Sequence, residues 1–269
     1  MPCEDCLGKR FPFEGILHKC YRNDRSASVA VTAMAALHRT IGTFENLVDV
    51  YLAGVTEWAR EKFVQAGIPA AKLILKPNFV FPDPGTGTGR GGYALFVGRL
   101  VEEKGVGTLL DAWTRIGGRI PLTILGDGPL AGDVTRAAAS MPGVRLLGYR
   151  PLDEMYALLK EASFLVFPSQ WYEAMPRTIV DAFAVGTPVV AANLGAMTSM
   201  ISDGRTGLHF RPGDAAHLAD RCLWMSEHPA ELAVMRDQAS QEYELRYTAE
   251  RSYELLMDAY AMAIRARRQ

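Results

Sequence analysis

The chain has 269 residues, with 29 Lys and Arg against 30 Asp and Glu, a formal net charge of −1, and 49% hydrophobic residues. That length suits one large domain or two small ones with ample core material, and the near-neutral balance gives no electrostatic reason to expect a nucleic acid or a strongly anionic membrane as partner. No run approaches the roughly 18 apolar residues of a membrane-spanning helix and no signal peptide is visible, so the expectation is a cytoplasmic chain with membrane contact that is at most peripheral.

At the start, Cys3, Cys6 and Cys20 form C-x2-C-x13-C, with His18 two residues before the last thiol. A C-x2-C pair is a common half of a structural zinc site, and two further ligands about a dozen residues on would complete it. Cys3, Cys6, Cys20 and His18 are therefore the candidate metal ligands, with a cysteine from upstream sequence as the alternative fourth; three unrelated thiols is the competing reading. Cys222 reads as a small core residue. Residues 26–40 predict a helix with apolar Val29, Ala33 and Leu37 on one face. A strand follows over 48–53, then Thr56 as a helix cap, a helix over 57–66 and a strand over 73–75. This amounts to about one and a half βα units.

Gly87, Gly89 and Gly92 fit the string G-x-G-x-x-G. That fingerprint needs a strand before it and a helix after it; here it follows a Pro-rich stretch and precedes a strand. Residues 85–92 are read as a flexible linker between two domains, which argues against a nicotinamide-dependent dehydrogenase.

Beyond the linker, strands are predicted near 93–97, 121–126, 144–147, 163–167, 188–191 and 207–210. Helices are predicted near 104–116, 130–140, 151–162, 176–186 and 197–202, with closing helices over 214–227, 230–241 and 246–266. Near-continuous apolar strands with short connections indicate a parallel sheet covered on both faces. The first strand runs into Gly98-Arg99-Leu100-Val101-Glu102-Glu103-Lys104-Gly105, where two cations five residues apart at a helix start suit a diphosphate clamp. The second ends in Gly126-Asp127-Gly128-Pro129. There Gly126 and Gly128 allow close backbone approach, Asp127 shapes the turn and Pro129 starts the next helix. The third ends in Gly148-Tyr149-Arg150.

The stretch from Pro168 to Ala191, PSQWYEAMPRTIVDAFAVGTPVVA, packs a strand end, a turn, a helix and a second strand into 24 residues. Pro176 suits the first helical turn, and the helix N-terminus would point N–H groups at a ligand beyond the strand's carboxyl end. Glu173 precedes that helix and Asp181 lies more than a turn into it, and carboxylates accept hydrogen bonds from sugar hydroxyls.

This block resembles the E-x7-E motif of the family 4 (group 1) glycosyltransferases, retaining enzymes of GT-B fold. Its second acid here is Asp181, one methylene shorter than the family's Glu. The FVGRL…EKG and GDGP stretches resemble the same family. The resemblance implies an α/β chain of GT-B type, with a complete C-terminal Rossmann-like domain over 93–245 and a partial N-terminal one over 1–84. Residues 246–269 would form a terminal helix crossing back to the first domain. The acceptor-binding domain of the family begins well upstream, so Met1 is read as an internal methionine or a late start. A truncated chain of this kind would leave apolar surface exposed and sheet pairing incomplete in residues 1–85.

By the same resemblance, Arg99 and Lys104 contact the donor diphosphate and Glu173 binds sugar hydroxyls. Backbone groups from Ala174, Met175, Pro176, Arg177 and Thr178 hold the donor and Asp181 holds its ribose. Gly98, Gly126 and Gly128 line the site, and Tyr149 and Arg150 lie near the base. The implied activity is transfer of a hexose, with retention and without a catalytic metal, from a UDP-, GDP- or ADP-sugar to a glycan or lipid-linked acceptor in polysaccharide synthesis. The alternative is a nucleotide-sugar binding fragment without transfer activity.

Overall fold

The computed structural model describes residues 3–267; Met1, on which the expectation about the chain's start rests, lies outside them. The chain divides into two compact units. One runs to Lys76 and resumes from Tyr253, and the other is Pro77–Ser252.

The first unit contains α1 (Glu14–Leu17), α2 (Arg25–Thr40), α3 (Thr43–Asn46), β1 (Tyr51–Gly54), α4 (Glu57–Gln65) and β2 (Leu73–Leu75). β1 and β2 form a two-stranded parallel sheet. Thr56 caps α4, its hydroxyl accepting from the Ala59 N–H at 3.2 Å, and Asp24 caps α2 by accepting from the Ala27 N–H at 2.7 Å. The face of α2 differs from the expectation. Ser28 and Thr32 are its buried residues, while Val29, Ala33 and Leu37 are exposed. The cause is close approach: Gly15 of α1 sits against the Thr32 hydroxyl and the Tyr21 N–H donates to the Ser28 hydroxyl at 3.1 Å, so small side chains face inward. Phe11, Phe13, Leu17, Met34, Ile41 and Leu47 are also exposed. Exposed apolar side chains and a two-stranded sheet are what the sequence reading anticipates for residues 1–85.

The second unit begins with the stretch expected to be a flexible linker, and that expectation is corrected. The N–H groups of Gly87, Gly89 and Gly91 donate to the carbonyls of Val185, Lys160 and Glu161 at 2.9, 2.9 and 2.8 Å. A Cβ at Gly87 would lie 2.2 Å from the Lys160 carbonyl oxygen, so the glycine serves backbone approach rather than mobility.

β3 (Ala94–Val97), α5 (Val106–Ile116), β4 (Leu122–Leu125), α6 (Ala131–Ser140), β5 (Val144–Gly148), α7 (Leu152–Glu161), β6 (Phe164–Phe167), α8 (Arg177–Ala184), β7 (Val189–Ala192), α9 (Met197–Met200) and β8 (Gly207–Phe210) then alternate. They are followed by α10 (Ala215–Glu227), α11 (Pro229–Arg246) and α12 (Ala249–Ala266). The six strands form one parallel sheet in the order β5-β4-β3-β6-β7-β8. Every residue of β4, β6 and β7 is buried, as a parallel sheet covered by helices on both faces requires. α5 packs with α10 and α8 with α11. The chain winds outward from β3 to β5, returns through α7 to β6 and then winds the other way. The switch in strand order therefore falls between β3 and β6, where a fold of this kind leaves a crevice at the carboxyl edge. No helix among the described residues is long and apolar enough to cross a membrane.

Trp113 anchors α5 on this sheet; it is 1% exposed and its indole N–H donates to the Ile120 carbonyl at 2.9 Å. Trp113→Ala removes the largest fully buried side chain and leaves that carbonyl without its donor. We expect a loss of about 3–5 kcal/mol, read as a lower urea midpoint in the unfolding of the second unit.

Candidate functional site

Four strand ends converge at the carboxyl edge. The ladder continues past the strands, with the Gly98 N–H donating to the Leu125 carbonyl at 3.0 Å and the Gly126 N–H to the Gly148 carbonyl at 2.9 Å. The loops after β3 and β4 are pressed together: at Gly126, φ is 142° and a Cβ would lie 1.8 Å from the Gly98 carbonyl oxygen. Gly126 and Gly128 thus serve backbone-to-backbone contact. Asp127 shapes the turn, its carboxylate accepting from the Gly128 N–H at 2.7 Å and its carbonyl from the Leu100 N–H at 2.9 Å. Pro129 does not start the following helix, which begins two residues later at Ala131.

Two cavities lie along this edge and share Val97, Gly98 and Arg99. The first, about 480 Å³, is bounded by Leu125, Gly126, Tyr149, Arg150, Leu152 and Met155. It is mainly apolar, with the ring of Tyr149, 79% exposed, at its rim. The second, about 290 Å³, carries the charged and hydroxyl groups of Lys104, Ser169, Glu173, Arg177 and Thr178 among apolar residues such as Phe167 and Met175.

At the centre of the second cavity, Lys104 Nζ lies 2.5 Å from Glu173 Oε1, with side chains 26% and 17% exposed. The Ser169 hydroxyl donates to the same carboxylate oxygen at 2.9 Å. Lys104 ends a 3-10 turn, Glu102–Lys104. That turn is tied to the β6 loop by the Gln170 N–H, which donates to the Glu103 carbonyl at 2.8 Å. The structure thus brings the predicted cation and the predicted acid into one ion pair. Arg99 stands apart, 73% exposed and 3.7 Å from Glu103.

Pro176 is the N-cap of α8 rather than its first helical residue. An α8 that starts at Arg177 still aims its first N–H groups and the positive end of its dipole at the second cavity. Met175 is partly engaged, its sulfur accepting from the Asn78 N–H at 3.1 Å.

Asp181 is not brought into either cavity wall. Its side chain is 6% exposed, it accepts from the Tyr156 hydroxyl at 2.7 Å, and the Arg177 Nε lies 3.7 Å away. Burial pushes its pKa above the ordinary carboxylate range, against the lowering effect of the Tyr156 hydrogen bond and the Arg177 charge. Burial, then the bond to Asp181, pushes the Tyr156 phenol up as well. Sequence reasoning missed Tyr156 and Ser169. A buried tyrosine hydroxyl needs a polar partner, but nothing in the spacing says that the partner lies 25 residues on.

At the start of the first unit, the structure brings Cys3 and His18 together with Asp5. Cys6 instead donates to the Pro12 carbonyl at 3.7 Å, and Cys20 is exposed and outside that ligand group. Cys222 is buried, as read from the sequence.

A six-stranded parallel sheet with helices on both faces and cavities along its carboxyl edge defines a doubly wound α/β fold, and comparison with known proteins gives the family. Residues 91–228 match the model of "Glycosyl transferases group 1", so the chain belongs to the group 1 glycosyltransferases. It is 33% identical over 161 residues to D-rhamnosyltransferase WbpZ of Pseudomonas aeruginosa, covering 58% of this chain and 42% of that one. It is 32% identical over 212 residues to a glycogen synthase of Mycobacterium tuberculosis, covering 77% and 47%. The chain thus spans about half the length of the curated relatives it matches. The crystal structure of Anabaena HepE in complex with UDP-glucose superposes with a TM-score of 0.71 at 17% identity, over 95% of this chain and 71% of that one. The fold is of the GT-B type.

The elevated Asp181 pKa fixes a pH dependence. The folded chain keeps a proton that the unfolded chain gives up, so stability falls as pH rises from the ordinary carboxylate range through the folded value. Asp181→Asn retains an acceptor for Tyr156 and removes that titration. Its stability relative to the native chain should rise with pH through the Asp181 titration and level off above it, measured by urea unfolding across pH.

Proposed function

We propose that this chain binds a nucleoside-diphosphate sugar along the carboxyl edge of the six-stranded sheet and transfers its hexose to a glycan or lipid-linked acceptor, with retention of configuration, in polysaccharide synthesis. The observation that carries this reading is the pairing of an apolar cavity with an ionic one, joined at Val97, Gly98 and Arg99. A donor of this class has a flat base, a doubly charged linker and a hydroxyl-rich sugar in that order. Tyr149 and Arg150 offer a face and a fork to the base. Arg99, Lys104, Arg177 and the start of α8 surround the diphosphate, and Glu173 accepts from sugar hydroxyls. HepE, of like fold, was crystallised with UDP-glucose, which supports a donor of this class without choosing among UDP, GDP and ADP here.

Charge on the diphosphate grows as the glycosidic bond breaks, so cations set beside it stabilise the transition state more than the ground state. Lys104 lies between two partners in this scheme. The diphosphate draws it from Glu173, and Glu173 is then free to accept from the sugar. Asp181 acts on the donor only through Arg177, whose guanidinium it holds.

A second reading, donor binding without transfer, is favoured by the exposed apolar side chains and two-stranded sheet of the first unit. Transfer needs water excluded from the sugar by closure of both halves of such a site.

The test is thermal stabilisation by UDP, GDP, ADP and their sugar conjugates, followed by a turnover assay. A ligand that binds the native state at 100 times its Kd adds about 2.7 kcal/mol. The expected result is a rise selective for one nucleotide, reduced at least about tenfold in affinity in Lys104→Ala. Multiple turnovers establish the enzyme, binding with neither transfer nor donor hydrolysis establishes the second reading, and no stabilisation by any nucleotide overturns both.

A further inference from the structure

Residues 3–24, ahead of α2, are held mainly by exposed polar contacts, among them Lys62 with Glu4 and Arg39 with the Lys9 carbonyl, and bury little apolar surface. Gly15 is the one buried residue of this segment, and α1 is a single turn of four residues. Lys19, Arg22 and Asn23 all take positive φ, at 51°, 56° and 54°, a conformation uncommon for residues other than glycine. Fixing the backbone of such a segment costs entropy that apolar burial here does not offset. Loop-rich segments in this position are held by cross-links or by a metal.

The segment carries the means. Cys3 Sγ lies 4.0 Å from His18 Nδ1, Asp5 Oδ2 lies 3.9 Å from the same nitrogen, and the three ligand atoms all lie within 4.8 Å of one another. Donors bound to a tetrahedral zinc at about 2.0–2.3 Å are spaced about 3.3–3.8 Å from each other, so only small side-chain shifts separate this cluster from a coordination sphere. The Asp5 N–H already points at Cys3 Sγ, at 3.5 Å, and a backbone donor of that kind supports a metal-bound thiolate. Cys6 follows Cys3 at the C-x2-C spacing.

We propose that Cys3, Asp5 and His18 bind a zinc-class divalent cation, with Cys6 as fourth donor once it leaves the Pro12 carbonyl. The site would fasten the start of the chain to the end of α1. A mixed sulfur, nitrogen and oxygen set suits a borderline-soft cation and excludes magnesium or calcium, which take oxygen ligands. The cation's role is to order residues 3–24; it takes no part in chemistry at the sheet edge. Because a site of this kind does not exist in the unfolded segment, metal affinity and local order rise together.

The test uses the full chain, stripped of metal under reducing conditions and titrated with Co²⁺, whose thiolate charge-transfer band reports sulfur ligation. We expect one equivalent bound and displaced by Zn²⁺, with binding weakened at least about tenfold in Cys3→Ser, Cys6→Ser, Asp5→Asn and His18→Ala. Cys20→Ser and Cys222→Ser should bind as the native chain does. Tryptic cleavage after Lys9, Arg10, Lys19 and Arg22 should slow on adding Zn²⁺ to the native chain and not to His18→Ala. Nucleotide binding and the circular dichroism of each variant report whether it has folded, and Asp5→Asn is the mildest change should Cys3→Ser fail. Absence of a thiolate band at one equivalent, or cleavage unchanged by Zn²⁺, overturns the proposal. Loss of binding in Cys20→Ser with none in Asp5→Asn overturns the ligand set.

Discussion

A parallel strand can join its neighbour only after the chain has crossed a face of the sheet, and every crossover in the second unit delivers the next strand pointing the same way. All six carboxyl ends therefore lie along one edge. Because α7 carries the chain from the outermost strand β5 back past β3 to β6, the loops after β3 and β6 belong to windings of opposite direction, and they meet at the edge where the Gln170 N–H donates to the Glu103 carbonyl at 2.8 Å. The crevice between the two windings is filled by neither strand, and the second cavity occupies it. Each functional position depends on that reversal: Lys104 arrives from the β3 side, Glu173 from the β6 side, and their ion pair bridges the gap at 2.5 Å.

The apolar cavity rests on a second constraint, the contact between the loops after β3 and β4. A Cβ at Gly126 would collide with the Gly98 carbonyl and one at Gly128 with the Leu100 backbone, so the loop after β4 can carry no Cβ at either position. The space beyond them is shaped by main chain, and Leu125, Leu152 and Met155 supply its apolar surface. A rigid floor of this sort holds a ligand at low entropic cost, since little of it needs ordering on binding.

Much of this was legible in the sequence because the signals are local. Runs such as Leu122 to Leu125 and Phe164 to Phe167 are apolar at every position, which only a sheet covered on both faces explains, and the glycine turns after them mark the edge. What the sequence did not reveal depends on partners far along the chain. The inward face of α2 was misread because its apolar residues suggested Val29, Ala33 and Leu37, whereas close approach of α1 selects Ser28 and Thr32. The strap at residues 85–92 looked like a flexible linker by composition, yet its N–H groups find carbonyls about 70 to 100 residues away. Asp181 looked available to a ligand because helical spacing says nothing of Tyr156. Among the candidate metal ligands, C-x2-C drew attention to the thiols while a neighbouring carboxylate, Asp5, stands closer to His18 than spacing rules suggest.

On the proposed reading, the Lys104–Glu173 pair also divides the kinetics of diphosphate capture between different residues. A cation already matched by a carboxylate casts almost no field into solvent, so it does not draw a distant anion towards the crevice. Arg99 and Arg177, with side chains 73% and 55% exposed and each 3.7 Å from a carboxylate against 2.5 Å for Lys104, are the more loosely paired charges, which an approaching ligand would meet first, and their attraction is the part that salt screens. Lys104 enters only after contact, when it exchanges one anionic partner for another, and a half-buried exchange of that kind is felt in how long the ligand stays. For a diphosphate bound as proposed, association rate and residence time at this edge would be set by separate cations, the former sensitive to ionic strength and the latter to the loss of a single ammonium group.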